Sequence, residues 1–138
     1  MPDINGKTLL VGLLATPIRH SNSPRMQSEA FAMTGVNCVQ LAFEVGNEQL
    51  EDAVKGLRAL GAVGFNVSMP NKRMVTQYLD ELSTAAALSG SVNTVVNDNG
   101  RLIGHNTDGY GFWESLRRNN IEFVSKKATL VGPGGVGA

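Results

Sequence analysis

The chain has 138 residues, 42% of them hydrophobic and 17% charged, and its 12 basic and 12 acidic residues cancel to a formal net charge of zero. This balance argues against a nucleic-acid-binding protein that works through a broad basic surface, while the apolar share suffices for a core. The single cysteine, Cys38, excludes an intrachain disulfide and therefore a small disulfide-stabilised secreted protein. The first residues lack the order of a signal peptide, and no apolar run reaches the length of a membrane span. We therefore expect a cytoplasmic protein that binds neither nucleic acid nor membranes.

Short apolar runs alternate along the chain with segments of helical periodicity. Strands are predicted over residues 8–14, 37–45, 62–67, 91–97, 101–104 and 128–131, and helices over about 24–34, 48–60, 74–82 and 107–119. Ser23 and Asn47 are candidate N-caps, and Asp98-Asn99-Gly100 is typical of a hairpin turn. Strands that alternate with helices predict an α/β protein whose open, mostly parallel sheet is flanked by helices.

A glycine-rich loop follows the last predicted strand. Gly132, Gly134 and Gly137 match the pattern G-x-G-x-x-G, in which the glycines permit a tight turn and let the backbone approach a pyrophosphate. The helix and the acidic residue that complete such a dinucleotide site would lie beyond Ala138. Because no Lys-Ser or Lys-Thr pair follows, a Walker A loop is excluded. The string alone is also compatible with an ordinary turn.

A set of polar residues falls near the ends of the predicted strands. Its members are Ser21, Ser23, Ser68, Lys72, Asn93 and Asp108. Ligands of open α/β sheets bind outside the carboxyl ends of the strands, and these side chains suit a small polyhydroxylated acid. Each residue taken singly has a plainer explanation, since serines cap helices and a lysine is usually solvated. The set forms a site only if the fold brings its members together.

Four short motifs occur in order ahead of the glycine loop. They are Ser21-Asn22-Ser23-Pro24, Asn66-Val67-Ser68-Met69-Pro70-Asn71-Lys72, Val92-Asn93-Thr94 and Asn106-Thr107-Asp108-Gly109. Together they resemble the shikimate dehydrogenase family, and Met69-Pro70-Asn71-Lys72 resembles its quinate/shikimate dehydrogenase branch in particular. The resemblance covers essentially the whole chain. It implies an oxidoreductase of the chorismate pathway that uses NAD or NADP to interconvert shikimate and 3-dehydroshikimate, or to oxidise quinate.

The resemblance also implies roles for the polar set. Ser21 and Ser23 would bind the substrate carboxylate, Ser68 would contact the substrate, and Asn93 would bind ring hydroxyls.

Lys72 and Asp108 would form the catalytic pair and would also contact the substrate. Lys72 would act either as a proton shuttle or as a donor that stabilises developing negative charge on oxygen, and the sequence leaves both open.

The cofactor would lie against the glycine loop, at Gly132, Pro133, Gly134, Gly135 and Val136. Pro133 stands where the family often has alanine, and it has no N–H to donate to a phosphate. No metal site is expected.

The domain organisation follows from the same motifs. Residues 1–105 are expected to form a substrate-binding catalytic domain. Residues 106–138 would supply a connector helix and then the first strand and glycine-rich turn of a truncated Rossmann-type domain. The chain alone would then be inactive and would have little or no affinity for the cofactor. The expected partner is the small substrate, in a monomer or homodimer. A non-catalytic module that binds a small polyhydroxy acid is the alternative, whereas a generic flavodoxin-like lobe does not account for four ordered motifs.

Overall fold

The computed structural model describes residues 3–129 and residue 131. The strands are β1 (Leu9–Ala15), β2 (Cys38–Glu44), β3 (Gly64–Val67), β4 (Glu81–Leu82), β5 (Thr94–Asp98) and β6 (Arg101–His105). The helices are α1 (Ser23–Met33), α2 (Leu50–Ala59), α3 (Thr84–Ser89) and α4 (Asp108–Arg118), and a 3-10 helix spans Met74–Tyr78. No helix within this described part is long and apolar enough to cross a membrane.

The described strands form one sheet in the order β2-β1-β3-β5-β6-β4. β1 lies parallel to both β2 and β3, and β4 lies parallel to β6. β5 runs antiparallel to β3 on one side and to β6 on the other. The tight turn at Asn99 and Gly100, both with positive φ, requires this reversal, because so short a connection joins only antiparallel strands. The predicted α/β class with a mostly parallel sheet is confirmed.

The main hydrophobic core lies between one face of the sheet and α2. Leu50, Val54 and Leu57 follow the helical period along one side of α2 and are at most 5% exposed. They pack with sheet residues that include Leu14, Phe65, Val67 and Val95. Leu60 was expected to continue this apolar stripe, but it is 76% exposed. The helix ends at Ala59, and Gly61 with its φ of 69° turns the chain away.

Both predicted N-caps are wrong. The residue before α1 is Asn22, and Ser23 is already helical, with Pro24 in the first turn as expected. The Ser23 N–H donates to the hydroxyl of Ser21 at 3.2 Å, so the serine ahead of the helix satisfies this donor. The residue before α2 is Gln49 rather than Asn47, because residues 47–49 form a turn in which the Leu50 N–H reaches the Asn47 carbonyl.

The helix predicted over residues 74–82 is mostly wrong. A short 3-10 helix ends at Tyr78, the chain extends at Leu79, and β4 follows. The edge of β6 explains the change, since the Asp80 N–H donates to the Leu102 carbonyl at 2.9 Å and the Ser83 N–H to the Gly104 carbonyl at 2.8 Å. Backbone groups paired with a neighbouring strand cannot continue a helix.

Helix α3 was missed at the sequence level, although its ends carry ordinary signals. The hydroxyl of Ser83 accepts a hydrogen bond from the Ala86 N–H, and Gly90 closes the helix in the left-handed conformation. Six residues are too short to show helical periodicity.

The strand predicted over residues 128–131 is wrong for the residues that the structure describes there. Ala128, Thr129 and Val131 are irregular. Among the described residues no other strand pairs with them, and an isolated strand has no partner for its backbone groups. Leu130 and the glycine loop from Gly132 onward lie outside the described residues.

Candidate functional site

Two loops meet at the carboxyl edge of the two central parallel strands. β1 ends at Ala15 and β3 at Val67, and because these strands are parallel, the segments that follow them leave the sheet on the same side. The Ser68 N–H donates to the Leu14 carbonyl at 3.0 Å, and the Thr16 N–H donates to the Met69 carbonyl at 3.1 Å. These bonds join the loop after β1 to the turn after β3.

The three predicted serines line one cavity between these loops. The cavity has a volume of about 500 Å³, and Ser21, Ser23 and Ser68 contribute to its wall together with Thr16 and His20. Apolar side chains of Leu13 and Ile18 also line it. Hydroxyl groups beside apolar wall atoms suit a small molecule with a ring and an anionic group.

Lys72 and Asp108 form a close ion pair beside the same turn. The Nζ of Lys72 donates to the Oδ2 of Asp108 at 2.6 Å, and the two side chains are only 13% and 23% exposed. The side-chain amide of Asn93 donates to the other carboxylate oxygen, Oδ1, at 2.9 Å. Both oxygens of Asp108 are therefore held by residues that the sequence had singled out.

The hairpin β5–β6 and the start of α4 fix Asn93 and Asp108 relative to each other. The Asn93 N–H donates to the His105 carbonyl at 3.0 Å at the open end of the hairpin. The Thr107 N–H donates to the Oδ1 of Asn93 at 3.1 Å, and the Asp108 N–H donates to the Oδ1 of Asn106 at 3.0 Å. Asp108 is also the first residue of α4, where the helix dipole favours a carboxylate.

The turn that carries Lys72 is held from two sides. The Lys72 carbonyl accepts the Val92 N–H at 2.8 Å, which joins the turn to the residues before β5. The neighbouring Asn71 is fully buried, and its Nδ2 donates to the Val45 carbonyl at 2.7 Å. Within the turn, the Asn71 N–H donates to the Ser68 carbonyl at 2.9 Å. One rigid turn therefore carries both a cavity serine and the lysine.

The structure thus brings the polar set together in two groups. Ser21, Ser23 and Ser68 share the cavity, and Lys72, Asn93 and Asp108 share a hydrogen-bonded cluster. The predicted cofactor residues Gly132, Pro133, Gly134, Gly135 and Val136 lie outside the described residues.

Glu44, which the sequence patterns did not indicate, anchors the loop that follows β1 and carries Ser21. We call this segment the cavity loop. The carboxylate of Glu44 accepts hydrogen bonds from the Thr16 hydroxyl at 2.5 Å and from the Ile18 N–H at 3.3 Å. The Thr16 hydroxyl above all, then the Ile18 N–H and the charge of Arg19, lower the pKa of Glu44 below its usual value. No local signal marks Glu44, since an acidic residue at the end of a strand is usually a solvated charge.

Sequence reasoning also missed Gln40 and the roles of Asn66 and Thr94. Gln40 is 2% exposed, and its Nε2 donates to the Oδ1 of Asn66 at 2.7 Å. A polar residue between apolar neighbours in a strand was the available signal for Gln40. Asn66 and Thr94 lie within the quoted motifs, but nothing in the sequence showed that they meet.

The chemistry that this arrangement supports is proton movement at a substrate oxygen. An amine–carboxylate pair at hydrogen-bond distance can exchange a proton with a hydroxyl placed beside it, and an ammonium can instead stabilise negative charge there. The adjacent cavity offers hydroxyl donors for the remainder of a substrate.

Comparison with known proteins gives a family match. Residues 13–95 match the family described as the shikimate dehydrogenase substrate binding domain. A curated relative from Listeria monocytogenes serotype 4b (strain F2365), named shikimate dehydrogenase (NADP(+)), is 55% identical over 132 residues, which are 96% of this chain and 45% of the relative.

Solved structures agree with this match. Shikimate 5-dehydrogenase from Listeria monocytogenes in complex with shikimate and NAD superposes with a TM-score of 0.93 at 54% identity, over 99% of this chain and 47% of that one. Ligand-free 5-ketofructose reductase of Gluconobacter sp. strain CHM43 gives a TM-score of 0.79 at 38% identity, over 83% of this chain and 41% of that one. The chain spans less than half the length of these relatives. With more than half of its residues matched, the chain belongs to the shikimate dehydrogenase substrate-binding domain family.

Proposed function

We propose that this chain is the substrate-binding part of an NAD(P)-dependent dehydrogenase that interconverts shikimate and 3-dehydroshikimate, or oxidises quinate. The observation that carries the proposal is the largely buried Lys72–Asp108 pair, at 2.6 Å, with Asn93 on the second carboxylate oxygen. The relatives named shikimate dehydrogenase support the reaction class. Membership of the quinate/shikimate branch stays a prediction from Met69-Pro70-Asn71-Lys72.

The cavity lined by Ser21, Ser23 and Ser68, which we call the serine cavity, would hold the acid end of the substrate. Ser21 and Ser23 would donate to the carboxylate, and Ser68 would contact the ring from the turn that also carries Lys72. This assignment matters because one structural relative is named for 5-ketofructose, a sugar without a carboxylate. Recognition of the carboxylate is therefore the property that separates the proposed substrates from sugars.

At the other end of the substrate, Lys72 and Asp108 would act on the hydroxyl that is oxidised. In that step the O–H proton passes to the Lys72–Asp108 pair, the C–H electron pair leaves as hydride, and a C=O bond forms. The nicotinamide supplies the hydride acceptor. Asn93 would orient a second ring hydroxyl while holding Asp108. Lys72 in the amine form would accept the proton itself, whereas Lys72 as an ammonium would stabilise charge on the oxygen.

For the cofactor, we propose NAD or NADP bound at Gly132, Pro133, Gly134, Gly135 and Val136. Residues 1–105 would then be the substrate-binding domain, and residues 106–138 would be the connector helix with the start of a dinucleotide-binding domain. We further propose that the protein is cytoplasmic and that it is a monomer or a homodimer. Cell fractionation would test the location, and size-exclusion chromatography would test the oligomeric state.

Calorimetry on the 138-residue chain tests the proposal without turnover. We expect shikimate or quinate to bind, and the methyl ester of shikimate to bind about tenfold more weakly, because the ester lacks the anionic charge that accepts the strongest hydrogen bonds. Equal affinity for acid and ester, or no binding of either acid, would contradict the proposal.

A further inference from the structure

A row of polar side chains crosses the face of the sheet opposite the main core. Phe65 and Val67 belong to the main core, so the alternation of β3 turns Asn66 to the other face. Asn66 lies directly opposite Thr94 in the antiparallel pairing of β3 and β5. Gln40 reaches Asn66 from β2, across the intervening strand β1.

Within this row every hydrogen bond is donated in the same direction. Gln40 Nε2 donates to Asn66 Oδ1 at 2.7 Å, and Asn66 Nδ2 donates to Thr94 Oγ1 at 3.2 Å. Thr94 Oγ1 donates to Asn93 Oδ1 at 3.0 Å, and Asn93 Nδ2 donates to Asp108 Oδ1 at 2.9 Å. We call these five residues the donor chain. Successive hydrogen bonds aligned in this way polarise one another, and this row ends on a carboxylate.

Backbone groups fix the direction of both amides in the donor chain. Asn66 Nδ2 also donates to the Asn93 carbonyl at 3.3 Å, and a carbonyl can only accept. Asn93 Oδ1 also accepts the Thr107 N–H at 3.1 Å, and an N–H can only donate. The hydroxyl of Thr94 lies between these two fixed amides. Since it accepts from Asn66, its own hydrogen points to Asn93.

We propose that Thr94 is a positioning residue, whose hydroxyl holds the Asn93 amide with its nitrogen toward Asp108 and the substrate. This inference rests on the proposed function only for its effect on substrate binding. Without the hydroxyl, Asn93 Oδ1 keeps only the Thr107 N–H, while Nδ2 keeps the Thr107 hydroxyl at 2.8 Å and Asp108. The amide is then held by one bond fewer on its oxygen side and is less tightly fixed toward Asp108. Gln40 stands at the first position of the donor chain. It is buried, and its one side-chain hydrogen bond goes to Asn66, while its Oε1 finds no partner among the described residues.

Two variants of Thr94 separate the hydroxyl from the shape of the side chain. Thr94→Val keeps the branched shape and removes the hydroxyl, whereas Thr94→Ser keeps the hydroxyl. Thr76→Val is the matched control, because Thr76 is also half-buried but donates to the Arg73 carbonyl, outside the donor chain. Thr94→Ala serves if the valine variant does not fold.

The first measurement is the side-chain NH₂ signal of Asn93 in ¹H–¹⁵N spectra of the 138-residue chain, identified by its loss in Asn93→Asp. We expect this signal to shift and broaden in Thr94→Val and to stay near the wild-type position in Thr94→Ser and Thr76→Val. An unchanged signal in Thr94→Val, or an equal change in Thr94→Ser, would overturn the proposal.

The second measurement is the affinity for shikimate by calorimetry. We expect a loss of about tenfold in Thr94→Val and less than about threefold in Thr94→Ser, as for one hydrogen bond that orients a ligand group. A wild-type affinity in Thr94→Val would overturn the proposed role. If the wild-type chain binds no shikimate, the proposed function fails, and the Asn93 signal still decides whether Thr94 sets the amide.

Discussion

The carboxylate of Glu44, at the end of β2, accepts a hydrogen bond from the hydroxyl of Thr16 at 2.5 Å. Thr16 lines the serine cavity, and a second bond from the Ile18 N–H to Glu44 fixes the next part of the same loop. The loop that carries Ser21 is thus held to the neighbouring strand by an ionised side chain.

Replacing Glu44 by glutamine should loosen this loop, because a neutral oxygen is a weaker acceptor than a carboxylate oxygen. We expect the melting temperature to fall and the affinity for shikimate to drop about threefold. Glu29→Gln is the control, since Glu29 pairs with Arg25 on the exposed surface of α1, outside the cavity loop. An unchanged affinity in Glu44→Gln would show that the loop does not depend on this charge.

The lowered pKa of Glu44 also predicts a pH dependence. A carboxyl group with a lowered folded-state pKa contributes stability above its unfolded pKa of about 4.3 and loses it as the pH falls through the folded value. The difference in melting temperature between wild type and Glu44→Gln should therefore be largest above about pH 5 and shrink as the pH falls below the unfolded pKa. A difference that grows on acidification would contradict this sign.

Replacing Lys72 by alanine should abolish the proton transfer that we propose for the Lys72–Asp108 pair. In a full-length protein that contains this chain, we expect kcat to fall about a hundredfold or more with a smaller change in KM. Lys55→Ala is the matched control, because Lys55 also pairs with a carboxylate, Glu51, at 2.7 Å but lies exposed on α2. A kcat near the wild-type value in Lys72→Ala would remove Lys72 from the reaction.

Replacing Ser21 by alanine should weaken binding of the acid rather than slow its conversion. Loss of one hydroxyl donor to a carboxylate predicts an increase of about tenfold in the Kd of shikimate. The affinity for the methyl ester should change less, and Ser115→Ala, on the exposed surface of α4, should change neither. Equal losses for acid and ester would place Ser21 away from the carboxylate.

The two leucines at the ends of the α2 stripe should respond differently to truncation. Leu50 is fully buried and Leu60 is 76% exposed. Leu50→Ala should destabilise the fold by about 2–5 kcal/mol, because it opens a cavity in the core, whereas Leu60→Ala should change it by less than about 0.5 kcal/mol. Urea unfolding of the two variants checks this, and similar losses would show that the core extends past Ala59.

The sequence predicted those parts of the fold that local patterns determine. The buried runs of β1 and β3, the stripe of α2 and the Asn99-Gly100 turn all carry signals within a few residues. The 3-10 helix and β4 were missed because the free edge of β6 offers hydrogen bonds to backbone groups that would otherwise form a helix. That edge exists only in the folded sheet. The order of the strands in the sequence does not show that β2 is the outermost strand of the sheet, next to β1. The hydrogen bond from Gln40 to Asn66 depends on that position and was therefore not predictable.

The candidate site was predictable as a set of residues and not as a geometry. The motifs named Lys72, Asn93 and Asp108 together. Their contacts depend on the turn after β3 and the reversed strand β5, which bring together residues 36 positions apart. Glu44 and Thr94 act through other residues, so no motif for substrate chemistry marks Glu44, and the role of Thr94 is visible only in the hydrogen bonds.

The reversal of β5 has a practical consequence. The open end of the β5–β6 hairpin holds Asn93 and leads to Asp108. The tip of the hairpin, at Asn99 and Gly100, therefore lies at the opposite end of these strands. Both tip residues are exposed and far along the strands from the ion pair. A fluorophore, an affinity tag or a short peptide inserted at Asn99 would therefore sit about five residues of strand, on the order of 16 Å, from the chemistry. The hairpin tip is therefore a suitable position for a label that must not disturb the candidate site.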